Sequence, residues 1–125
     1  MKINSEEQSV RIIADAREDL DAAQSLLDAG KPRHGMFYAH LALEKVLKVL
    51  VMKATGSAPP KIHDLKRLAG LTGFSLDQSA IEFLGIMNYY QVACRYVEAR
   101  GHEIHASLAR RHLQKAKELF EWLTR

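Results

Sequence analysis

The stretch HGMFYAHLALEKVLKVLVMKA, residues 34–54, decides the fold. Apolar side chains occupy nearly every side of a helix drawn through it, so this helix must be surrounded by other elements. One face departs from this pattern, because His40, Glu44 and Lys48 stand four residues apart and stack along it. We therefore predict a central helix with one polar stripe, and expect the rest of the chain to cover this helix or to complement its stripe.

Length and composition predict a single domain over residues 1–125. A chain of 125 residues buries roughly two-thirds of its unfolded surface and can fold without disulfides or metals. The one cysteine, Cys94, excludes an internal disulfide and a cysteine-rich zinc site. Met1 leads into polar residues, and no apolar run is long enough to span a membrane. We therefore expect a cytoplasmic protein without a membrane segment.

Positive and negative charges are distributed unevenly along the chain. The net charge of +3 permits a polyanionic partner without requiring one. Residues 1–30 lean acidic, whereas residues 31–67 carry eight lysines and arginines against two acids. The two blocks can meet across a bundle or a subunit interface, or they can form ordinary solvated helix faces.

The first helix is predicted from Ser5 to Gly30, where glycine is typical of a helix C-terminus. Pro32 follows at once, so the connection to the central helix is short and the two helices are expected to be antiparallel neighbours. Apolar residues recur along the first helix at steps of three and four, which predicts one buried stripe: Ile13, Ala16, Leu20, Ala23 and Leu27.

A short helix and two long ones are predicted after the central helix, which should stop near Thr55 and Gly56. Asp64 is expected to cap a short helical turn, 65–69, which Gly70 and Gly73 close. The next long helix opens at Ser75 or Asp77, and the last spans Glu103 to Leu123. Their buried faces should be Ala80, Phe83, Met87, Tyr90, Cys94 and Val97 in one, and Ala109, Leu113, Ala116, Phe120 and Leu123 in the other.

These segments predict an all-α fold, because no stretch alternates in the manner of a β-strand. The architecture is an up-and-down bundle of four long helices plus one short helix. A second polar stripe, Asn88, Gln91, Arg95 and Glu98, follows the third long helix. If the two striped helices are neighbours, Glu44 can pair with Arg95. The pair can fix helix register, line a phosphate-binding cleft with Lys48 and His102, or form a buried dimer contact.

Few sequence motifs indicate chemistry. The chain has no glycine-rich phosphate loop and no zinc-protease motif, and His102 with His105 makes a poor metal site, so we predict neither metal nor cofactor. Arg95 with His102, or Arg100 with His105, can cleave RNA without metal: arginine stabilises the developing negative charge and histidine moves the proton. His63 is expected at a helix start, with a ligand role as the alternative.

The order of several motifs resembles the HEPN domain, a small helical domain often encoded beside minimal nucleotidyltransferases in prokaryotes. The resemblance covers about residues 10–124. Its matching motifs are Phe37-Tyr38-Ala39-His40, Leu43-Glu44-Lys45, Leu47-Lys48, Gly56, Pro59-Pro60, His63-Asp64-Leu65, Leu68, Tyr90 and Arg95-Tyr96, together with Ala16, Asp19, Leu20, Ala23, Leu26-Leu27 and Gly30 of the first helix.

The resemblance implies a homodimeric helical bundle with one of two functions. Some members are metal-independent ribonucleases, often toxins, in which an arginine is shortly followed by a histidine. Here Arg95 and His102 match that pair, with Tyr96 where catalytic members usually have Asn, Asp or His. Other members lack the pair and are regarded as nucleotide-binding or regulatory partners of the nucleotidyltransferase.

We therefore expect a cytoplasmic homodimer that acts as the nucleotide- or RNA-binding partner module of a minimal nucleotidyltransferase, in a toxin–antitoxin-like pair. The alternatives are a ribonuclease, with Arg95 as the electrostatic stabiliser and His102 as the base, and a purely structural partner domain. Lys48, Arg95 and His102 are the expected phosphate contacts. The full set of expected binding residues is His40, Glu44, Lys48, His63, Arg95 and Tyr96.

Overall fold

A computed structural model describes residues 5–95 and 104–125, with only the backbone of Ser5 and Arg95. Within these residues the chain forms five α-helices and no strand, which confirms the all-α bundle of four long helices and one short helix. The helices are α1 Ser5–Asp28, α2 Pro32–Thr55, α3 Leu65–Leu71, α4 Gln78–Arg95 and α5 Ala106–Leu123.

The connection between α1 and α2 is as short as predicted. Gly30 has φ = 77°, a left-handed conformation that favours glycine. Its N–H donates to the carbonyl of Leu27 at 3.0 Å, and the N–H of Lys31 donates to the carbonyl of Leu26 at 2.8 Å. This pair of bonds is a Schellman motif, which satisfies the last carbonyls of α1. Pro32 then begins α2, at the position where a missing N–H costs nothing.

The backbones of α1 and α2 approach each other closely at Gly35. A Cβ atom added there would overlap Cδ1 of Leu27 and lie 2.8 Å from the carbonyl oxygen of Ala23. Only a residue without a side chain fits this contact. The tight contact explains why a glycine stands inside the first turn of a long helix.

The directions of the helices determine which of their starts and ends lie together at each end of the bundle. Asp28 bonds Arg110, and Arg17 bonds Glu121, so α5 runs antiparallel to α1. The α3 helix runs beside α2 in the same direction, and α4 returns antiparallel to α2. As a result α1 and α4 end at the same end of the bundle at which α2 and α5 begin.

The hydrophobic core confirms the predicted stripes. Four of the five predicted residues of α1 and all five of α5 are buried, with Ile13 partly buried. The central helix α2 is buried on most of its sides, as its composition predicted. On α4 the predicted face is right at Phe83, Met87 and Tyr90, whereas Ala80 and Cys94 are only partly buried. Val97 lies outside the described residues.

Two helix boundaries differ from the prediction, at the end of α3 and at the start of α5, and one of the two predicted starts of α4 is confirmed. The α3 helix continues through Gly70 to Leu71, because Gly70 takes a helical conformation and the left-handed glycine is Gly73, with φ = 79°. Of the two predicted starts of α4, Ser75 and Asp77, the structure confirms Asp77, which precedes Gln78 and accepts the N–H of Ala80 with its carboxylate at 2.8 Å. The α5 helix begins at Ala106, three residues after the predicted start at 103, which lies outside the described residues.

Candidate functional site

The polar stripe of α2 meets the start of α3 at the carboxylate of Glu44. Glu44 is only 7% exposed, so its negative charge needs partners. Its oxygens accept a hydrogen bond from Nδ1 of His63 at 3.1 Å and another from Nζ of Lys48, also at 3.1 Å. These donors neutralise a carboxylate that burial alone would make costly.

His40 lies beneath Glu44 on the same face of α2. Its side chain is 1% exposed, and its Nε2 donates to the carbonyl oxygen of His63 at 3.1 Å. Burial lowers the pKa of His40, and the nearby Glu44 opposes that shift only in part. His40 is therefore neutral at neutral pH, with its Nδ1 3.8 Å from the carboxylate of Glu44.

Asp64 and Asn88 join α3 to α4. The carboxylate of Asp64 accepts the N–H groups of Lys66 at 3.0 Å and Arg67 at 3.3 Å, which confirms the predicted cap. The side-chain amide of Asn88 donates to the same Asp64 oxygen at 2.9 Å, and its oxygen accepts the N–H of Leu65, also at 2.9 Å. Three N–H groups at the start of α3 thus find side-chain acceptors.

Together His40, Glu44, Lys48, His63, Asp64 and Asn88 form what we call the Glu44 network. It ties α2, α3 and α4 together and closes on itself, because each buried polar group has a partner. Its outward edge is the imidazole of His63, whose side chain is 52% exposed. Within the described part of the chain no group of three or more His, Cys, Asp or Glu side chains is arranged to hold a metal ion. The arrangement suits fixing the register of three helices.

The structure does not bring Glu44 and Arg95 together. Asn88 contacts His40, so these two residues lie at the same level of the bundle. Because α4 runs antiparallel to α2, the seven residues from Asn88 to Arg95 extend about 10 Å along the helix axis in the direction away from Glu44. Lys48 lies two helical turns from His40 in the opposite direction. The side chain of Arg95, and the whole of Tyr96 and His102, lie outside the described residues.

The same holds for the other predicted residues of this segment. Arg100, the alternative partner of His105, and Glu98 of the second polar stripe lie outside the described residues. His105 is exposed and directly precedes α5. Of the second stripe, the structure shows Asn88 in the Glu44 network and Gln91 partly buried.

A concentration of basic residues marks the end of the bundle at which α2 and α5 begin. We call this the basic end, defined by Lys31, Arg33, His34, His105, Arg110 and Arg111. Among these residues Arg110 is bonded to Asp28 at 3.0 Å. The bonds from Arg110 and Gln24 lower the pKa of the Asp28 carboxyl.

Sequence reasoning missed the basic end, although it used several of its residues. Lys31 and Arg33 open the basic block that follows the acidic first helix, whereas Arg110 and Arg111 stand on the outer face of α5. Only the antiparallel order of α1, α2 and α5 places these pairs at one end. The predicted up-and-down topology could have indicated the basic end, because it places the starts of α2 and α5 side by side.

Sequence reasoning also missed a contact between Tyr90 of α4 and His112 of α5. The hydroxyl of Tyr90 lies 2.5 Å from Nδ1 of His112, and the rings of Tyr90 and Phe83 both contact the imidazole. Burial raises the pKa of Tyr90 to about 12, so the phenol is protonated and donates. Burial, followed by the charges of Lys115 and Arg111, lowers the pKa of His112, which accepts as a neutral imidazole.

Comparison with known proteins agrees with this architecture. The family model of the HEPN domain matches residues 9–125. Among solved structures, the chain is similar to the crystal structure of TT1696 from Thermus thermophilus, with 19% sequence identity, a TM-score of 0.82, and coverage of 94% of this chain and 96% of that one. At this identity the likeness shows a shared fold. A search of curated proteins gave no match. No described helix is long and apolar enough to cross a membrane.

Proposed function

Because the chain belongs to the HEPN domain family, we propose that it is the nucleotide- or RNA-binding partner module of a minimal nucleotidyltransferase, in a toxin–antitoxin-like pair. The observation that carries the proposal is the basic end. Phosphate groups are bound by lysine and arginine side chains and by the N–H groups at helix starts, and this end supplies both. The expected ligand is therefore a nucleotide or a single-stranded RNA.

The cations of the basic end are available to a ligand. Among the described residues, no carboxylate pairs with Lys31, Arg33 or Arg111, and only Arg110 is engaged, by Asp28. Neither α2 nor α5 has a side-chain cap on its first N–H groups. An incoming phosphate would therefore meet unpaired cationic side chains and uncapped N–H groups, and it would not have to displace internal ion pairs.

Arg95 extends this proposed site, because its backbone, the last described part of α4, lies at the basic end. We keep Arg95 and His102 as proposed phosphate contacts. Lys48 takes a different role in the proposal. It is bonded to Glu44, and roughly 20 Å of helix axis separate it from Arg95, so it supports the Glu44 network.

We also propose that the module is a homodimer, formed through α4. Ile86, Tyr89 and Val92 stand three residues apart on α4 and are 46%, 42% and 40% exposed. An exposed apolar stripe of this kind is typical of a protein–protein contact. A second copy packed on it would bring two basic ends closer. Light scattering after size-exclusion chromatography tests this, since Val92→Glu should yield a monomer and a monomeric wild type would refute it.

The test of ligand binding uses fluorescein-labelled single-stranded RNA and fluorescence anisotropy. We expect the double variant Lys31→Gln, Arg33→Gln to bind roughly tenfold more weakly than wild type. Its log–log salt dependence should also be shallower by about 1.4, which corresponds to two lost phosphate contacts on a single strand. The matched control, Lys61→Gln with Lys66→Gln, removes two exposed lysines elsewhere and should bind like wild type.

Two results of this titration would overturn the proposal. Equal weakening in both double variants would mean that RNA responds to net charge rather than to the basic end. A wild-type protein that binds neither RNA nor AMP would leave the purely structural partner domain as the better account. A nucleotidyltransferase reading frame beside the gene would support the partner assignment, and its absence would count against it.

A metal-independent ribonuclease is the second candidate function, because the backbone of Arg95 lies at the basic end, among its cations. In such an enzyme Arg95 stabilises the charge that develops on the phosphate, and His102 accepts the proton of the 2′-hydroxyl. The test is incubation of RNA with wild type and with Arg95→Ala, His102→Ala, both in chelator. Cleavage by wild type alone establishes the nuclease, and intact RNA in both samples removes it.

A further inference from the structure

The end of the bundle opposite the basic end contains a cavity of about 410 Å³. It lies between the last turns of α2, the connection from α3 to α4 and the end of α5, with Ile13 of α1 on one side. This volume falls within the range of pockets that hold small organic molecules. None of the predicted site residues lines it.

The inner wall of the cavity is apolar. Val46, Val49 and Leu123 form its buried floor, and Leu50 is partly exposed to it. Nothing in this wall can hydrogen-bond a ligand, so the wall suits a hydrocarbon or aromatic group rather than a sugar.

Two threonines line the cavity, but their hydroxyl protons are already committed. The hydroxyl of Thr72 donates to the carbonyl of Ala69 at 2.8 Å and accepts the N–H of Phe74 at 3.1 Å. The hydroxyl of Thr124 donates to the carbonyl of Phe120 at 2.9 Å. A nucleobase needs donors and acceptors aligned with its edges, and this cavity has no free donor hydroxyl to offer. The cavity therefore differs in chemistry from the proposed nucleotide site.

The rim of the cavity is positively charged. Lys53 and Arg125 line it, no aspartate or glutamate does, and neither cation has an ion-pair partner among the described residues. A cavity with an apolar floor and unpaired cations at its mouth is complementary to an amphipathic anion. We propose that it binds a small organic anion, a carboxylate on an aliphatic chain, with the chain inside and the carboxylate between Lys53 and Arg125.

The protein carries its own reporter for this site. Trp122 is the only tryptophan of the chain, and its ring contacts that of Phe74 with 5.9 Å between centroids. Phe74 lines the cavity, so a ligand that enters changes the surroundings of Trp122. Sodium decanoate, decanol and decyltrimethylammonium give one chain length with negative, neutral and positive head groups. Each can be titrated below its aggregation concentration while Trp122 fluorescence is recorded.

We expect saturable binding of decanoate and much weaker responses to the alcohol and the ammonium compound. The double variant Lys53→Gln, Arg125→Gln should weaken decanoate binding roughly fivefold, as expected for two partly exposed ion pairs. A matched control, Lys61→Gln with Arg67→Gln, removes the same two charge types away from both the cavity and the basic end and should bind like wild type. AMP, a probe of the basic end, should leave the fluorescence of Trp122 unchanged.

A second variant tests the cavity itself without touching the buried core. Ala54 lines the cavity from the exposed side of α2, so Ala54→Phe should fill it and abolish the decanoate response while circular dichroism stays native. Full decanoate binding by folded Ala54→Phe would overturn the proposed location. A response to decanol equal to that for decanoate would overturn the proposed charge, and an absence of saturable binding would overturn the site.

Discussion

Replacing Glu44 with glutamine tests the role of the Glu44 network as the contact that holds α2, α3 and α4 in register. Glutamine keeps the volume of the side chain but removes its charge. One end of the new amide can still accept a hydrogen bond, from either Lys48 or His63. The other end is an NH₂ group, which would face the second donor where Glu44 now offers an oxygen.

The expected loss of unfolding free energy is about 1–2 kcal/mol. A buried carboxylate with charged partners would lose about 3–5 kcal/mol if a partner were removed. The partners here are less confined, because the side chain of His63 is 52% exposed and that of Lys48 is 23% exposed. Both can turn to water in the variant, which reduces the loss toward that of an ordinary hydrogen bond. For a chain of this size the change corresponds to a fall in Tm of roughly 4–8 °C.

Thermal and urea denaturation followed by circular dichroism measure this effect. The matched control is Glu82→Gln, an exposed carboxylate of α4 that accepts the i, i+4 bond from Gln78, and its Tm should change by about 1 °C or less. RNA binding by Glu44→Gln should equal that of wild type at a temperature where both are folded. A Tm shift no larger than that of the control would refute the register role, and selective loss of RNA binding would move the site to the network.

Three further outcomes follow from contacts elsewhere in the bundle. Gly35→Ala should lower the unfolding free energy by about 2 kcal/mol or more, because its Cβ would overlap α1. Gly70→Ala, where a Cβ meets no neighbour, should raise the unfolding free energy by about 0.4–1 kcal/mol. Urea denaturation of both variants measures the two changes. Tyr90→Phe should raise the pKa of His112, since neutral His112 loses the donor at its Nδ1, and an unchanged pKa in an NMR titration would contradict this. The unfolding free energy should fall as pH is lowered from about 7 to 5, because the unfolded chain takes up a proton at His40 that the folded chain, with its buried His40 of lowered pKa, does not. The dependence of the unfolding free energy on pH should be shallower in His40→Gln. An identical dependence would contradict a lowered pKa for His40.

Sequence periodicity was sufficient to predict α1, α4 and α5, because each buries one face, whereas the central α2 was predicted from its apolar composition on most sides. The stripes of α1 and α5 are spaced so regularly that only a helix can bury them. Boundaries were harder to predict at glycines. Gly70 and Gly73 look alike in sequence, but only Gly73 takes a positive φ, and that choice depends on where α3 packs.

Four of the six members of the Glu44 network were predicted from the sequence. The stripe of His40, Glu44 and Lys48 follows from helical spacing, and the cap at Asp64 follows from its position before a short apolar turn. The partner of Glu44 did not follow. Sequence spacing suggested Arg95, but the antiparallel return of α4 presents Asn88 to α3, and His63 reaches Glu44 from the loop. Which polar residue meets which depends on the register between helices, and a single sequence does not encode that register locally.

The most direct test of the proposed function is a map of amide chemical shifts on adding a short single-stranded RNA to ¹⁵N-labelled protein at low salt. We expect shifts concentrated at residues 31–37 and 104–111 and at Arg95 and His102, with little change at His40, Glu44 and Lys48. Shifts centred on the Glu44 network would contradict the account and return the phosphate site to Lys48. Shifts around Lys53 and Trp122, or none at saturating RNA, would contradict a phosphate site at the basic end.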